Sequence, residues 1–182
     1  MKNLETFFDL TKDQFLYGGK KYGLNEQRES TDVLFDAHGK NWLFGTIDKY
    51  TYRFKNLKRE RDLLKIATYM YILWLKRGFF LQKRGVNDSI DTNLKIKDEQ
   101  FTYFTKQVTD YINNSNINKF TFSEDGQLDW ISEILKRWSS INWGEISRHE
   151  VLRIYRLTFH VWDLNFGKIK EHDTDTWNEK GK

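Results

Sequence analysis

The sequence predicts an all-α protein, a single helical domain of about seven helices around one buried central helix. Its 182 residues contain no proline, the residue that breaks helices most strongly. Phenylalanine, tyrosine and tryptophan make up 16% of the chain, and such large aromatic side chains supply much of the buried area of a core. Apolar residues also recur at helical spacing along most of the sequence. Together these features favour long helices packed through aromatic side chains.

The first three helices are defined by caps, glycines and apolar spacing. Asn3 is suited to cap a first helix that ends at the paired Gly18 and Gly19. A short second helix is predicted from Thr31 to about His38. After Gly39, a third helix starts near Asn41, with an apolar stripe that is typical of a core-facing side. The stripe consists of Leu43, Ile47, Tyr50 and Phe54.

The fourth helix is the predicted central one. It covers Arg59 to about Arg77 and is apolar on nearly all sides from Ile66 onward, as expected for a helix surrounded by others. It completes an N-terminal half of about residues 1–80. Residues 78 to about 97 lose the periodicity and are predicted to form a loop or short hairpin.

The C-terminal half, about residues 98–166, carries the remaining elements. They are predicted as a helix around residues 101–111, a short strand at 119–122, a turn at 123–126, and helices at about 128–138 and 144–163. Residues 167–182 are polar, and we expect this tail to be frayed.

Composition excludes several functional classes. Without cysteine, the chain has no disulfide, thiolate metal site or cysteine nucleophile. The N-terminus lacks the uninterrupted apolar segment of a secretory signal, and the longest apolar run, Ile66–Leu75, is about half of the roughly 20 residues that a bilayer requires. We therefore expect a cytoplasmic protein with no membrane partner. The net charge of +4, spread over interspersed acids and bases, favours an anionic ligand.

Two neighbouring motifs resemble a known family of nucleotide hydrolases. Tyr17-Gly-Gly-Lys-Lys-Tyr-Gly23, followed by Gly39-Lys-Asn-Trp42, resembles the opening of the phage dATP/dGTP diphosphohydrolase-like family, which is related to the all-α MazG-type pyrophosphohydrolases. Here Leu24–His38 separates the two motifs, whereas the family pattern usually lacks such a segment. Neither MazG carboxylate pair, Glu-x-x-Glu or Glu-x-x-Asp, occurs within residues 39–76, and Asp62 and Ile66 stand where the diphosphohydrolase pattern has histidines.

The next segment resembles a second phage family. Phe44-Gly-Thr-Ile-Asp-Lys-Tyr-Thr-Tyr-Arg53, then Lys55 and Asp62-Leu-Leu-Lys-Ile-Ala-Thr-Tyr69, is similar to the signature of a small phage nucleotide kinase family. Thr46 replaces an asparagine of that pattern, and Ile66 precedes its alanine. The two resemblances cover about residues 14–76. Since both families act on deoxynucleotides, they imply a deoxynucleotide ligand and leave the reaction open.

Carboxylates near this segment are the candidates for a magnesium site. A pyrophosphohydrolase holds Mg²⁺ on carboxylate oxygens from two helices. The candidate ligands are Asp32, Asp36, Glu60 and Asp62, and Asp62 is also the candidate catalytic residue. The alternative is that these acids are solvated or favoured by the dipole at helix N-termini.

Basic and aromatic residues are the candidates for contacts to the nucleotide itself. Arginine and lysine bind phosphate as a planar fork and as a point charge, respectively. The phosphate-binding candidates are Lys20, Lys21, Lys49, Arg53, Lys55 and Lys65. Aromatic faces stack on bases, and the candidates are Tyr22, Trp42, Tyr50 and Tyr69. The alternatives are surface ion pairs or dipole contacts for the cations, and core packing for the aromatics.

These residues support three functional hypotheses. The first is a phage-type protein that binds a deoxynucleotide and hydrolyses or phosphorylates it, and the absence of a P-loop excludes a conventional P-loop kinase. The second is a non-catalytic anti-defence protein, either a sponge for a nucleotide signal or an inhibitor of a host defence protein. The third is a nucleic-acid-binding accessory protein. A homo-oligomer is compatible with each of them.

Overall fold

The computed structural model describes residues 2–24, 28–82, 98–115 and 123–175, with the side chains of residues 19–30, 32, 81 and 82 excepted. The described helices are α1 (Lys2–Tyr22), α2 (Ser30–Leu57), α3 (Glu60–Lys76), α4 (Phe79–Gln82), α5 (Asp98–Asn114), α6 (Glu124–Ser139) and α7 (Arg148–Phe166). Two-residue strands, β1 (Gly23–Leu24) and β2 (Arg28–Glu29), pair antiparallel between α1 and α2. The all-α class is confirmed, and the predicted number of about seven helices depends on whether the four-residue α4 is counted.

Several predicted boundaries are wrong for local reasons. α1 continues beyond Gly18 and Gly19 to Tyr22. By contrast, the predicted break between the second and third helices is confirmed, because Gly39 has non-helical φ and ψ and α2 consists of two helical parts that meet at a kink there. The predicted turn at residues 123–126 is the start of α6, because the Ser123 hydroxyl accepts a hydrogen bond from the Gly126 amide at 3.1 Å and caps the helix.

The boundaries of α3 agree closely with the prediction, and those of α7 are shifted. A 3₁₀ turn at Trp143–Glu145 precedes α7, which begins after the capping residue Ser147 rather than at Gly144. The predicted strand at 119–122 lies outside the described residues, as do residues 83–97 of the loop or hairpin predicted from residue 78. The start of that predicted loop is instead the short helix α4.

Helix α3 packs against α1, α2, α4 and α7. Most of its side chains are buried, because apolar residues cover nearly its whole circumference. Neither α3 nor any other helix within the described residues is long and apolar enough to cross a bilayer.

An aromatic chain links the two halves of the sequence through this core. Phe7 of α1 contacts Tyr155 of α7, whose ring meets Phe104 of α5, which in turn contacts Tyr71 of α3. The ring centroids are 5.4, 5.1 and 5.0 Å apart, within the range of favourable aromatic pairs. Four helices therefore share one core cluster.

The segment after α7 is held at the N-terminus of α3 by a buried carboxylate. Glu60, only 1% exposed, accepts hydrogen bonds from Trp162 Nε1 and from the Asp173 amide, each at 2.7 Å. One of its oxygens also lies 2.6 Å from His172 Nδ1. The predicted fraying of the tail is therefore wrong for residues 172–175, which pack against α3.

Gly39 and Gly45 offer a matched test of the kink in α2. Gly39 has φ 68° and ψ −163°, a conformation that is essentially restricted to glycine, whereas Gly45 lies in regular helix. A Cβ at either position would meet nothing within 4 Å, so only backbone preference differs.

We expect Gly39→Ala to lower the free energy of unfolding by about 1–3 kcal/mol. Gly45→Ala should raise it by about 0.5–1 kcal/mol, because alanine is the better helix former. Urea denaturation of both variants measures the difference. Equal effects of the same sign would contradict the strained geometry at Gly39.

Candidate functional site

A cavity of about 340 Å³ lies between the C-terminal part of α1, the length of α2, and α3. Four residues proposed from the sequence line it: Trp42, Tyr50, Lys65 and Tyr69. Gln14 and Asp175, which were not proposed, line it as well. The cavity volume is within the range of small-molecule sites, at its lower end. This cavity is the candidate functional site.

Three aromatic rings form one wall of the cavity. Tyr50 and Tyr69 are stacked, with centroids 6.0 Å apart and planes inclined by 22°. Trp42 meets Tyr69 edge to face at 6.4 Å. Trp42 and Tyr50 are about two turns apart on α2, so they lie on the same side of that helix. Trp42 and Tyr69 are half-buried, and they present polarisable surface to the cavity.

Three cations surround the ring of Tyr50. Lys49 Nζ, Lys65 Nζ and the Arg53 guanidinium carbon lie 4.7, 5.2 and 5.6 Å from its centroid. Of these three residues, Lys65 lines the cavity itself. Positive charge is therefore concentrated beside the aromatic wall, where an anionic group of a stacked ligand would be stabilised.

Asp62, the candidate catalytic residue, is fully buried beside these cations. Its Oδ1 lies 3.5 Å from a terminal nitrogen of Arg53, and neither carboxylate oxygen accepts a hydrogen bond from the described residues. Burial raises the pKa of Asp62 above its ordinary value, and the nearby charges of Arg53, Lys65, Arg59 and Arg61 partly oppose that shift. Arg53 thus has a structural partner that the sequence interpretation did not assign to it.

Gln14 contributes an unsatisfied acceptor to the cavity. Its side chain is 5% exposed, and its Oε1 has no hydrogen-bond partner among the described residues. Buried polar atoms are nearly always hydrogen-bonded, because leaving one without a partner costs about 1–3 kcal/mol. A bound molecule with an N–H or O–H group would satisfy it. No sequence motif pointed to this glutamine.

Asp175 is the second lining residue that sequence reasoning missed. Its carboxylate lies 2.7 Å from Lys65 Nζ and 3.5 Å from Arg61. The alternation of Glu171, Asp173 and Asp175 in the tail is a signal for a basic partner, but sequence spacing does not say which basic residues it would meet.

The other sequence candidates lie elsewhere or are engaged elsewhere. Lys55 forms an ion pair with Asp129 of α6. Both oxygens of Glu60 are engaged by α7 and the tail. Asp36 is exposed on α2, and the side chains of Lys20, Lys21, Tyr22 and Asp32 lie outside the described residues.

The described candidate carboxylates are not gathered into a cluster of three or more possible metal ligands. No group of three His, Asp or Glu side chains converges within the part of the chain that the structure describes. Glu60 is engaged by three donors, and Asp62 is enclosed beside Arg53, whereas magnesium usually retains several waters and needs open oxygen ligands. The magnesium site stays a prediction from the sequence.

The shifted pKa of Asp62 gives a testable pH dependence. Because its folded-state pKa lies above the ordinary 3.8, the folded protein binds this proton more tightly than the unfolded chain does. The free energy of unfolding should therefore fall as pH rises from about 3.8 through the raised pKa. Asp62→Asn removes this loss, and we expect it to melt at a higher temperature than the wild type at neutral pH.

Asp129→Asn is the matched control, because it removes an exposed carboxylate that also pairs with a basic residue of α2. Thermal unfolding of the three proteins across the acid to neutral range measures the effect. If the wild type gains stability relative to Asp62→Asn as pH rises, the burial argument is wrong.

Each of the four motifs contributes at least one residue to the lining of this cavity. Tyr17 comes from the first motif, Trp42 from the second, Tyr50 from the third, and Lys65 and Tyr69 from the fourth, and all five line it. In comparisons of the whole chain, no family model, no curated protein and no solved structure matches. The functional argument therefore starts from the cavity and its chemistry.

Proposed function

We propose that this chain binds a nucleotide in the cavity between α1, α2 and α3. The observation that carries the proposal is that residues from four separate motifs line that one cavity, among them Tyr17, Trp42, Tyr50, Lys65 and Tyr69. They combine aromatic surface with a cation, the two features that a nucleotide requires of its site.

The chemistry of the lining suggests how the ligand would be recognised. Trp42 and Tyr69 offer surface for a base, because base–aromatic stacking contributes about 1–3 kcal/mol per base. Gln14 offers an acceptor that has no partner among the described residues to an N–H group of the base. Lys65, with Lys49 nearby, supplies positive charge for phosphate.

The size of the cavity and the ion pairs favour a single nucleotide over a nucleic-acid strand. A strand needs an extended basic groove. Several basic residues outside the cavity are instead paired with acids: Lys12 with Asp98, Lys55 with Asp129, and Lys58 with Glu124. The hypothesis of a nucleic-acid-binding accessory protein is therefore the weakest of the three.

The surroundings of the carboxylates favour nucleotide binding without turnover. Hydrolysis or phosphoryl transfer requires oxygen ligands for magnesium and a group that orients the nucleophile. Glu60 and Asp62 are enclosed by protein contacts. We therefore favour a sequestering protein for a deoxynucleotide or nucleotide signal, in the phage setting that the motifs imply. An action on a host defence protein remains a prediction from the sequence.

One observation keeps a catalytic function as the second candidate. Asp62 is a buried carboxylate that accepts no hydrogen bond from the described residues and lies near Arg53 and Lys65, and perturbed groups of this kind are frequent at active sites. If nucleotide is turned over with added Mg²⁺, Asp62→Asn should abolish turnover and retain binding. Equal turnover by wild type and variant would remove Asp62 from the mechanism.

Lys65 and Lys55 provide a direct test of the proposed site. Both were phosphate candidates, but Lys65 lines the cavity, whereas Lys55 pairs with Asp129. A charge-assisted contact contributes roughly 1.5–3 kcal/mol, and 1.4 kcal/mol is ten-fold in affinity. We expect Lys65→Met to weaken binding of deoxynucleoside monophosphates about ten-fold or more, and Lys55→Met to leave it unchanged, as measured by calorimetry.

Either of two results would contradict the proposal. One is tight nucleotide binding that both lysine variants weaken equally, which would indicate a general charge effect. The other is the absence of any shift in melting temperature across a panel of nucleotides with and without Mg²⁺, because a ligand that binds the native state raises its stability.

A further inference from the structure

A pair of cations on α3 is bridged by a carboxylate from the C-terminal segment. Arg61 and Lys65 are about one turn apart and lie on the same side of α3. The Asp175 carboxylate contacts both, at 3.5 Å and 2.7 Å. Its side chain is 17% exposed, and Asp175 also lines the cavity. A carboxylate from a distant part of the chain therefore lies between two cations, one of which lines the cavity.

We propose that Lys65 and Arg61 form the phosphate subsite of the cavity, and that Asp175 competes with the ligand for it. This inference rests on the proposed function and adds to it a second binding residue, Arg61, and a regulatory contact. The Asp175 carboxylate stands in chemically for a phosphate: both are anions that present oxygens to a lysine ammonium and an arginine fork. Ligand phosphate takes the place of the carboxylate when it binds.

The surrounding contacts allow Asp175 to leave without loss of the fold. The C-terminal segment is anchored by Glu60, which contacts the His172 ring and the Asp173 amide. Glu60 lies a little more than one helical turn before Lys65 on α3. Arg61 also contacts Asp173, with nitrogen–oxygen distances of 3.0 and 3.4 Å. Release of Asp175 thus keeps the anchor and leaves Arg61 oriented by a remaining partner.

The other cations near the cavity fit this role less well. Arg53 is directed to the buried Asp62. Neither Lys49 nor Arg61 belongs to the cavity lining, but Arg61 contacts the lining carboxylate of Asp175, whereas Lys49 is exposed on α2. Among the described residues, Lys65 and Arg61 are the pair that shares a cavity-lining carboxylate.

The experiment compares Asp175→Asn with Asp129→Asn, two changes that add the same charge to the protein. Calorimetry measures the binding of the four deoxynucleoside monophosphates, the corresponding uncharged deoxynucleosides and inorganic phosphate. Asp175→Asn should bind a monophosphate about five-fold more tightly, which corresponds to the roughly 1 kcal/mol of a partly exposed ion pair. Affinity for the deoxynucleoside should not change, and Asp129→Asn should behave as the wild type.

Arg61→Met provides the second arm. It should weaken monophosphate binding several-fold and leave deoxynucleoside binding unchanged. An unchanged or lower affinity of Asp175→Asn for monophosphate would overturn the competition, as would an equal gain for the uncharged deoxynucleoside.

The outcomes separate this inference from the proposed function. If the wild type binds a monophosphate, Lys65→Met weakens it and Asp175→Asn has no effect, the nucleotide site stands and the competition is wrong. If Asp175→Asn tightens inorganic phosphate but no nucleotide binds, the phosphate subsite stands and the nucleotide proposal is wrong. If no probe binds any of the proteins, both are wrong.

Discussion

The buried carboxylate of Glu60 is the interaction on which the arrangement of the site depends. It lies at the first turn of α3, where free backbone N–H groups and the helix dipole favour an acid. Its oxygens engage Trp162 of α7 and the segment at His172 and Asp173. These three hydrogen bonds offset the free-energy cost of burying the carboxylate. They also provide an acceptor for each of the three donors, which would otherwise have none. The chain after α7 is thereby held beside the cavity.

Glu60 and Asp62 show how differently two neighbouring acids can be used. They are two residues apart, and both are buried. Glu60 is satisfied by hydrogen bonds, whereas Asp62 faces Arg53 without accepting one from the described residues. Burial therefore dominates the pKa of Asp62 and raises it. A sequence pattern that groups both as metal ligands cannot distinguish these surroundings, because they are set by α2, α7 and the tail.

Sequence reasoning identified the aromatic wall and Lys65, but not the polar lining residues Gln14 and Asp175. Tyr50 belongs to a helical stripe and to a motif, so local spacing was enough to select it, and the structure places it both at the edge of the core and in the cavity. Lys55 was selected through the same motif, yet its partner Asp129 is 74 residues away in the sequence. Arg61 and Asp173, which lies beside Asp175, are 112 residues apart. Helical periodicity reports on neighbours three and four residues apart, and such tertiary pairs lie beyond it.

The Gly39-Lys-Asn-Trp42 motif has a physical explanation in this fold that does not require a particular reaction. Gly39 adopts the positive φ that bends α2, so the helix before it can cover the cavity while the helix after it packs on α3 and α6. Lys40 donates to the carbonyl oxygens of Trp138 and Ile141, and thereby satisfies acceptors at the end of α6. Trp42 then lies in the cavity lining. The motif therefore shapes and fixes a pocket, and this structural role does not depend on the carboxylates that a reaction would need.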